Sequence, residues 1–147
     1  MEMTKPRIRE DGRVSGYACL FDRLDLGRDV VAPGAFRRSL LARPAPEIRM
    51  LFGHDPARPI GRWDAIREDA RGLFVSGRIA TEAASARDVA ALIEGGALDG
   101  LSIGFRTLQA VRRPGGVRRL TLIDLHEVSL VTFPMQPGAR VLRTHKE

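Results

Sequence analysis

The chain has 147 residues, enough for one domain with a substantial core. At 44% apolar it has a globular composition, and no apolar run approaches the ~20 residues that a membrane-spanning helix needs. The net charge of +6 is spread over arginines along the whole sequence, and with aromatics at 5% the basic residues lack the interleaved rings of a single-strand stacking platform. Cys19 is the only cysteine, so neither an internal disulfide nor a CxxC metal site is expected. The N-terminal residues are charged and carry no apolar h-region, so no signal peptide is expected and a cytoplasmic location follows.

Residues 1–12 are polar and are expected to be a loose segment. Val14 to Phe21 reads as a strand, and the charged stretch from Asp22 to Ala32 as a loop. Pro33-Gly34 opens a short helix from Ala35 to Leu41, which Arg43-Pro44-Ala45-Pro46 ends. Ile48, Met50 and Phe52 alternate with their neighbours and predict a strand from Glu47 to Phe52. Residues 55–59, with two prolines, predict a turn or loop. Ile60 to Arg67 and Gly72 to Ile79 are two strands joined by a polar turn.

Thr81 to Glu94 is the clearest helix. Ser85 and Asp88 resemble a capping box, Val89, Leu92 and Ile93 give an apolar face, and Gly95-Gly96 supplies the stop. Gly100 to Arg112 and Val117 to Phe133 form the last two strands, joined by a Pro114-Gly115-Gly116 hairpin signal. About six strands and two helices with many antiparallel connections predict a mostly β, α+β fold: a small closed or nearly closed antiparallel β-barrel with peripheral helices. One domain covers residues 13–142, and residues 143–147 form a short tail.

Three segments carry candidate chemistry. Ser102 lies between two glycines in Gly100-Leu101-Ser102-Ile103-Gly104. His54 ends an apolar run, and Glu127 sits inside an apolar strand. Serine, histidine and carboxylate are the parts of an activated-serine hydrolase. Residues 100–104 match G-x-S-x-G, but a nucleophile elbow needs a strand before the serine and a helix after it, and here the order is reversed. On the residues alone, Ser102 also fits an ordinary strand serine beside bend glycines, and His54 a hydrogen-bonded structural histidine. Asp55 is adjacent to His54 in an extended chain and points away from it. In a regular strand Ile123, Leu125, Glu127, Ser129 and Val131 share one face, and Asp124, His126, Val128 and Leu130 the other. Glu127, a carboxylate on a largely apolar face, needs a partner, and His126 is its rival for the third position.

The order of YACLFD, LFGHDPARPIGR, GALDGLSIGF and LHEVSLVTFPMQPGARV resembles the HK97-type prohead serine proteases of tailed phages, over Val14 to Leu142. The arginine-rich composition and the last motif are similar to the gene transfer agent branch. The resemblance implies a fold related to herpesvirus assemblin. It makes His54 the general base, Ser102 the nucleophile and Glu127 the third member. His126 is the alternative, because the third member in assemblin is a histidine. It further implies an endopeptidase inside the assembling prohead that cuts the scaffold-like N-terminal segment of the major capsid protein, with self-association or self-cleavage possible and no metal or organic cofactor. Backbone amides of Ile103 and Gly104 are the oxyanion candidates, with Arg140 or Arg106 acting through a water. The rival readings are a catalytically idle capsid-assembly or scaffold-binding module and, more remotely, a basic nucleic-acid-binding barrel.

Overall fold

The structure is a computed structural model and describes residues 6–143. The expectations for the first five residues of the N-terminal segment and the last four of the tail lie outside the described residues. Seven strands form one curled sheet among the described residues: β1 Arg13–Leu20, β2 Asp29–Val31, β3 Arg49–Phe52, β4 Asp55–Glu68, β5 Gly72–Ile79, β6 Gly100–Arg113 and β7 Val117–Val131. Two helices, α1 Arg37–Ala42 and α2 Ala84–Glu94, flank it. No helix among the described residues is long and apolar enough to cross a membrane.

The strand order is β1-β5-β4-β3-β7, with β6 on the opposite edge of β7 from β3. The sheet nearly closes. Val141 bridges to Gly16 of β1 and Arg140 to Gly100 of β6, so residues 139–142 span the gap between the two end strands. The amide of Leu101 donates to Ala139 O at 2.9 Å, and that of Leu142 to Ser15 O at 2.9 Å.

The pairing is mixed rather than purely antiparallel. β2 and β3 both run parallel to β7, against Arg118–Leu120 and Glu127–Leu130 respectively. The short β2 lies in the segment that the sequence reads as loop. Pairing with β7 and a fork from Arg118 to Asp29, with nitrogen–oxygen distances of 2.9 and 3.0 Å, supply what local pattern does not. Residues 55–59 are likewise strand, held by β3 despite their prolines. α1 starts at Arg37 rather than Ala35, and the β3 ladder at Arg49 because Ala45–Glu47 forms a 3-10 turn. α2 starts on Ala83 with no side-chain cap, so the Ser85–Asp88 box does not form. Its buried face is Ala86, Val89, Ala90 and Ile93, and Leu92 is exposed.

The core is one cluster built on Trp63, Phe36, Ile48, Met50, Leu73, Leu101, Ile123 and Leu130, all within 1% of full burial. Trp63 also donates from Nε1 to Val128 O at 3.2 Å, which satisfies its one polar atom inside the core. This ties β4 to the middle of β7.

Between its contacts with β2 and β3, the edge of β7 is covered by α1 and the turn before it. The amide of Ile123 donates to Ala35 O at 3.0 Å, and the amide of Leu125 donates to Ser39 Oγ at 2.8 Å. Arg43 donates to Leu125 O and, at 3.0 Å, to Asp124 Oδ1. At this clamp β7 departs from regular alternation. Gly104 pairs with Glu127 but the next residue, Phe105, pairs with Leu125, so His126 is the extra residue of a β-bulge. From 123 onward the fully buried apolar positions are 123, 125, 128 and 130. The two-face assignment made for a regular strand therefore fails across His126: Ile123 and Leu125 share the core with Val128 and Leu130.

Candidate active site

His54 sits at the tip of the β3–β4 hairpin. Phe52 pairs with Asp55, leaving Gly53-His54 as a two-residue turn in which φ is +59° and +62°. Positive φ at both central residues is the signature of a type I′ hairpin turn, which Gly tolerates freely and a histidine less so. Two bonds hold the turn against β7: Gly53 N donates to Leu130 O at 2.9 Å, and His54 N donates to Ser129 Oγ at 3.0 Å. The ring is thereby aimed across the face of β7 toward β6.

On β6, Ser102 pairs with Ser129 and Gly104 with Glu127, so Ser102, Gly104, Glu127 and Ser129 share one face. His54 Nε2 lies 3.0 Å from Ser102 Oγ, and His54 Nδ1 contacts Glu127 Oε1. The other carboxylate oxygen, Oε2, accepts from Ser129 Oγ at 2.6 Å. With the ring proton on Nδ1 facing the carboxylate, Nε2 is left to accept the serine hydroxyl. The hydrogen bond to Glu127 raises the His54 pKa above its ordinary 6.5, partial burial opposes this, and the carboxylate charge adds to the rise. The Glu127 side chain is 12% exposed and that of His54 42%, so the carboxylate is sheltered while the imidazole opens to solvent.

The structure thus brings His54, Ser102 and Glu127 together and leaves His126 out. His126 faces Asp124, with Nε2 2.8 Å from Asp124 Oδ2, in a polar group with Arg43 and, at 3.8 Å, Arg106. Arg106 is engaged there rather than beside Ser102. Asp55 accepts from Ala57 N at 2.9 Å in its own turn. Arg140 donates to Asp99 Oδ1 at 2.6 Å and to Pro137 O at 2.9 Å. Ile103 and Gly104 follow Ser102 on β6, whose edge away from β7 pairs with no further strand among the described residues. Residues 139–141 take that edge up to Leu101, and beyond Leu101 it has no strand partner among the described residues, which leaves its outward-facing groups available beside the serine. Sequence reasoning missed Ser129, which joins the His54 backbone to the Glu127 carboxylate; its signal was the i, i+2 spacing from Glu127.

Gly104 has a second use. A Cβ built there would stand 2.6 Å from Glu127 Cδ and 2.7 Å from its Cγ, so the carboxylate lies in the space that a side chain would fill. Next to Ser102 and His54 is a cavity of about 190 Å³ that also reaches Cys19, Asp25, Asp29 and Met135. Burial pushes the Cys19 thiol up to about 12, so it stays protonated and inert.

A family model described as Caudovirus prohead serine protease matches residues 2–147. The prohead protease of Enterobacteria phage HK97 is 32% identical over 135 residues, covering 90% of this chain and 60% of that protein. The prohead protease of Escherichia phage T5 is 31% identical over 124 residues, covering 83% and 58%. The chain therefore spans less than two thirds of the length of either relative. Among solved structures, the bacteriophage T4 capsid assembly protease matches with a TM-score of 0.63 at 12% identity, over 89% of this chain and 91% of that one. KSHV protease bound to a hexapeptide phosphonate inhibitor matches with a TM-score of 0.65 at 17% identity, over 91% and 65%. At those identities the likeness is one of fold, and it agrees with the mostly β, assemblin-like architecture expected from the sequence.

Proposed function

The chain belongs to the caudovirus prohead serine protease family, and from that premise we propose that it is a serine endopeptidase of capsid maturation, acting inside the assembling prohead on the scaffold-like N-terminal segment of the major capsid protein. The observation that carries this reading is His54 bridging Ser102 and Glu127. His54 Nε2 takes the proton of Ser102 as Oγ attacks the scissile carbonyl carbon. Glu127 holds the ring in the required tautomer and stabilises the imidazolium that forms. Collapse of the tetrahedral intermediate breaks the C–N bond, and His54 passes its proton to the leaving amine. Water, activated by the same imidazole, then hydrolyses the acyl-serine. The backbone amide of Ile103 is the proposed oxyanion donor: the Leu101 amide, two residues earlier, points away from β7 to Ala139 O, so that of Ile103 faces the same outer edge, whereas the Gly104 amide, the other candidate from the sequence, faces β7.

The test is co-expression with the major capsid protein, followed by mass spectrometry of the capsid protein N-terminus. The wild-type chain should yield a trimmed N-terminus. Ser102→Ala should yield full-length capsid protein, since losing a nucleophile costs several orders of magnitude in rate. Trimming that persists with Ser102→Ala would mean that the chain is an assembly module and that the cutting is done elsewhere.

A further inference from the structure

The cavity beside Ser102 has two chemically different parts. Its walls are apolar: Val31, Leu101, Ile103, Phe105 and Met135 line it. Its polar lining includes two carboxylates from the segment that enters and forms β2, Asp25 and Asp29. Their charges are not equally met. Asp29 is held in the Arg118 fork. Asp25 accepts from the amides of Asp29, at 2.9 Å, and Gly27, and makes no ion pair among the described residues. The Arg118 guanidinium lies near enough to favour the Asp25 charge but pairs with Asp29 instead, and apolar walls with a carboxylate outside the ion pair fit an alkyl stem that ends in a cation. A volume of about 190 Å³ is below the ~300 Å³ of a pocket for a whole small molecule, and suits one side chain.

We propose that this cavity receives a lysine or arginine side chain of the substrate, that of the residue whose carbonyl Ser102 attacks, and that Asp25 reads its charge. The proposal rests on the serine endopeptidase reading above and names the substrate class of that same site. Partial burial holds the Asp25 carboxyl above its ordinary range, so a cation arriving beside it relieves a desolvated charge. An acidic side chain entering the same space meets like charge.

The experiment is digestion of a proteome-derived peptide library, made with a glutamyl endopeptidase so that lysines and arginines remain internal, by the full chain and by Ser102→Ala. Cleavage that needs Ser102 and follows lysine or arginine is the expected result. Ser102-dependent cleavage after other residues overturns the assignment of the cavity and leaves the endopeptidase reading standing. Absence of any Ser102-dependent cleavage overturns that reading, and the assignment with it. A second measurement isolates the charge. Asp25→Asn keeps the Oδ1 acceptor that orders the turn, so the fold should hold. It should lower kcat/KM for a lysine substrate by about tenfold or more and leave the norleucine analogue, which lacks the amine, unchanged. Equal effects on both peptides would show that Asp25 only shapes the loop.

Discussion

Gly104 and Glu127 are partners across β6 and β7, and the glutamate carboxylate occupies the place where a side chain on residue 104 would begin. A glycine inside a strand ordinarily weakens it. Here its absent Cβ lets Glu127 lie across the ladder toward the His54 ring. The glycine that flanks Ser102 on its C-terminal side therefore serves the acid as well as the serine.

Gly104→Ala should keep the fold, at a cost of about 1–3 kcal/mol from overpacking, and displace the carboxylate from His54. The His54 pKa, followed by NMR titration of the ring, should fall toward its ordinary value, and kcat should fall with it. An alanine variant that titrates like the wild type would show that the carboxylate has another route to the ring.

Glu127→Gln removes the charge while retaining an oxygen for Ser129. Turnover should fall on the order of 10²- to 10⁴-fold, because the glutamine no longer stabilises the imidazolium. The acid limb of the pH profile should also move down, since the hydrogen bond that raises the His54 pKa is weakened. His126→Phe should leave rate and profile close to wild type, because His126, the bulge residue, faces Asp124 rather than His54. Cleavage assays at equal folded concentration decide between them. A dead His126→Phe beside a near-normal Glu127→Gln would reverse the assignment of the third residue.

The same raised pKa gives activity and stability opposite pH trends. With His54 as the proposed general base, catalysis needs its neutral form, so kcat/KM should rise as pH increases through a value above 6.5. The charged His54–Glu127 contact stabilises the fold fully below the unfolded-state pKa, and that contribution is lost as pH rises through the folded-state pKa. Denaturant midpoints of wild type and Glu127→Gln should therefore differ most below pH 6.5 and converge above the folded-state value. A difference that grows with pH would mean that His54 is bound in its neutral form.

Much of this was legible in the sequence where local pattern and tertiary demand agree. Alternation at Ile48, Met50 and Phe52 marked β3, and Pro114-Gly115-Gly116 marked the turn between β6 and β7. The motif order singled out His54, Ser102 and Glu127, which the fold brings together. What failed depended on pairing partners. β2 has three residues and no apolar pattern of its own, and it exists through β7 and the Arg118 fork. The face assignment along β7 failed because alternation cannot foresee a bulge at His126. Asp25, Gly27 and Asp29 read as surface loop because nothing near them in sequence shows that Ser102 lies beside the same cavity.

That bulge is held from outside the sheet, by Ser39 of α1 and by Arg43 just after it. In a regular ladder the N–H and C=O of Leu125 on that edge would face a neighbouring strand. Here β3 begins pairing only at Glu127, and the two groups are taken by Ser39 Oγ and Arg43 instead. Ser39 is buried, so Ser39→Ala leaves an N–H unmatched and should cost about 1–3 kcal/mol. Arg43→Met removes the bond to Leu125 O and the ion pair to Asp124 together. If the clamp sets the register that carries Glu127 to His54, both variants should lower kcat more than they raise KM, and both should lower the His54 pKa although neither residue touches the ring. Arg43→Lys, which keeps one donor, should recover part of each effect. Urea midpoints and NMR titration of His54 on the same samples separate the two roles. Variants that lose stability but keep the wild-type His54 pKa and kcat would reduce Ser39 and Arg43 to structural supports of β7.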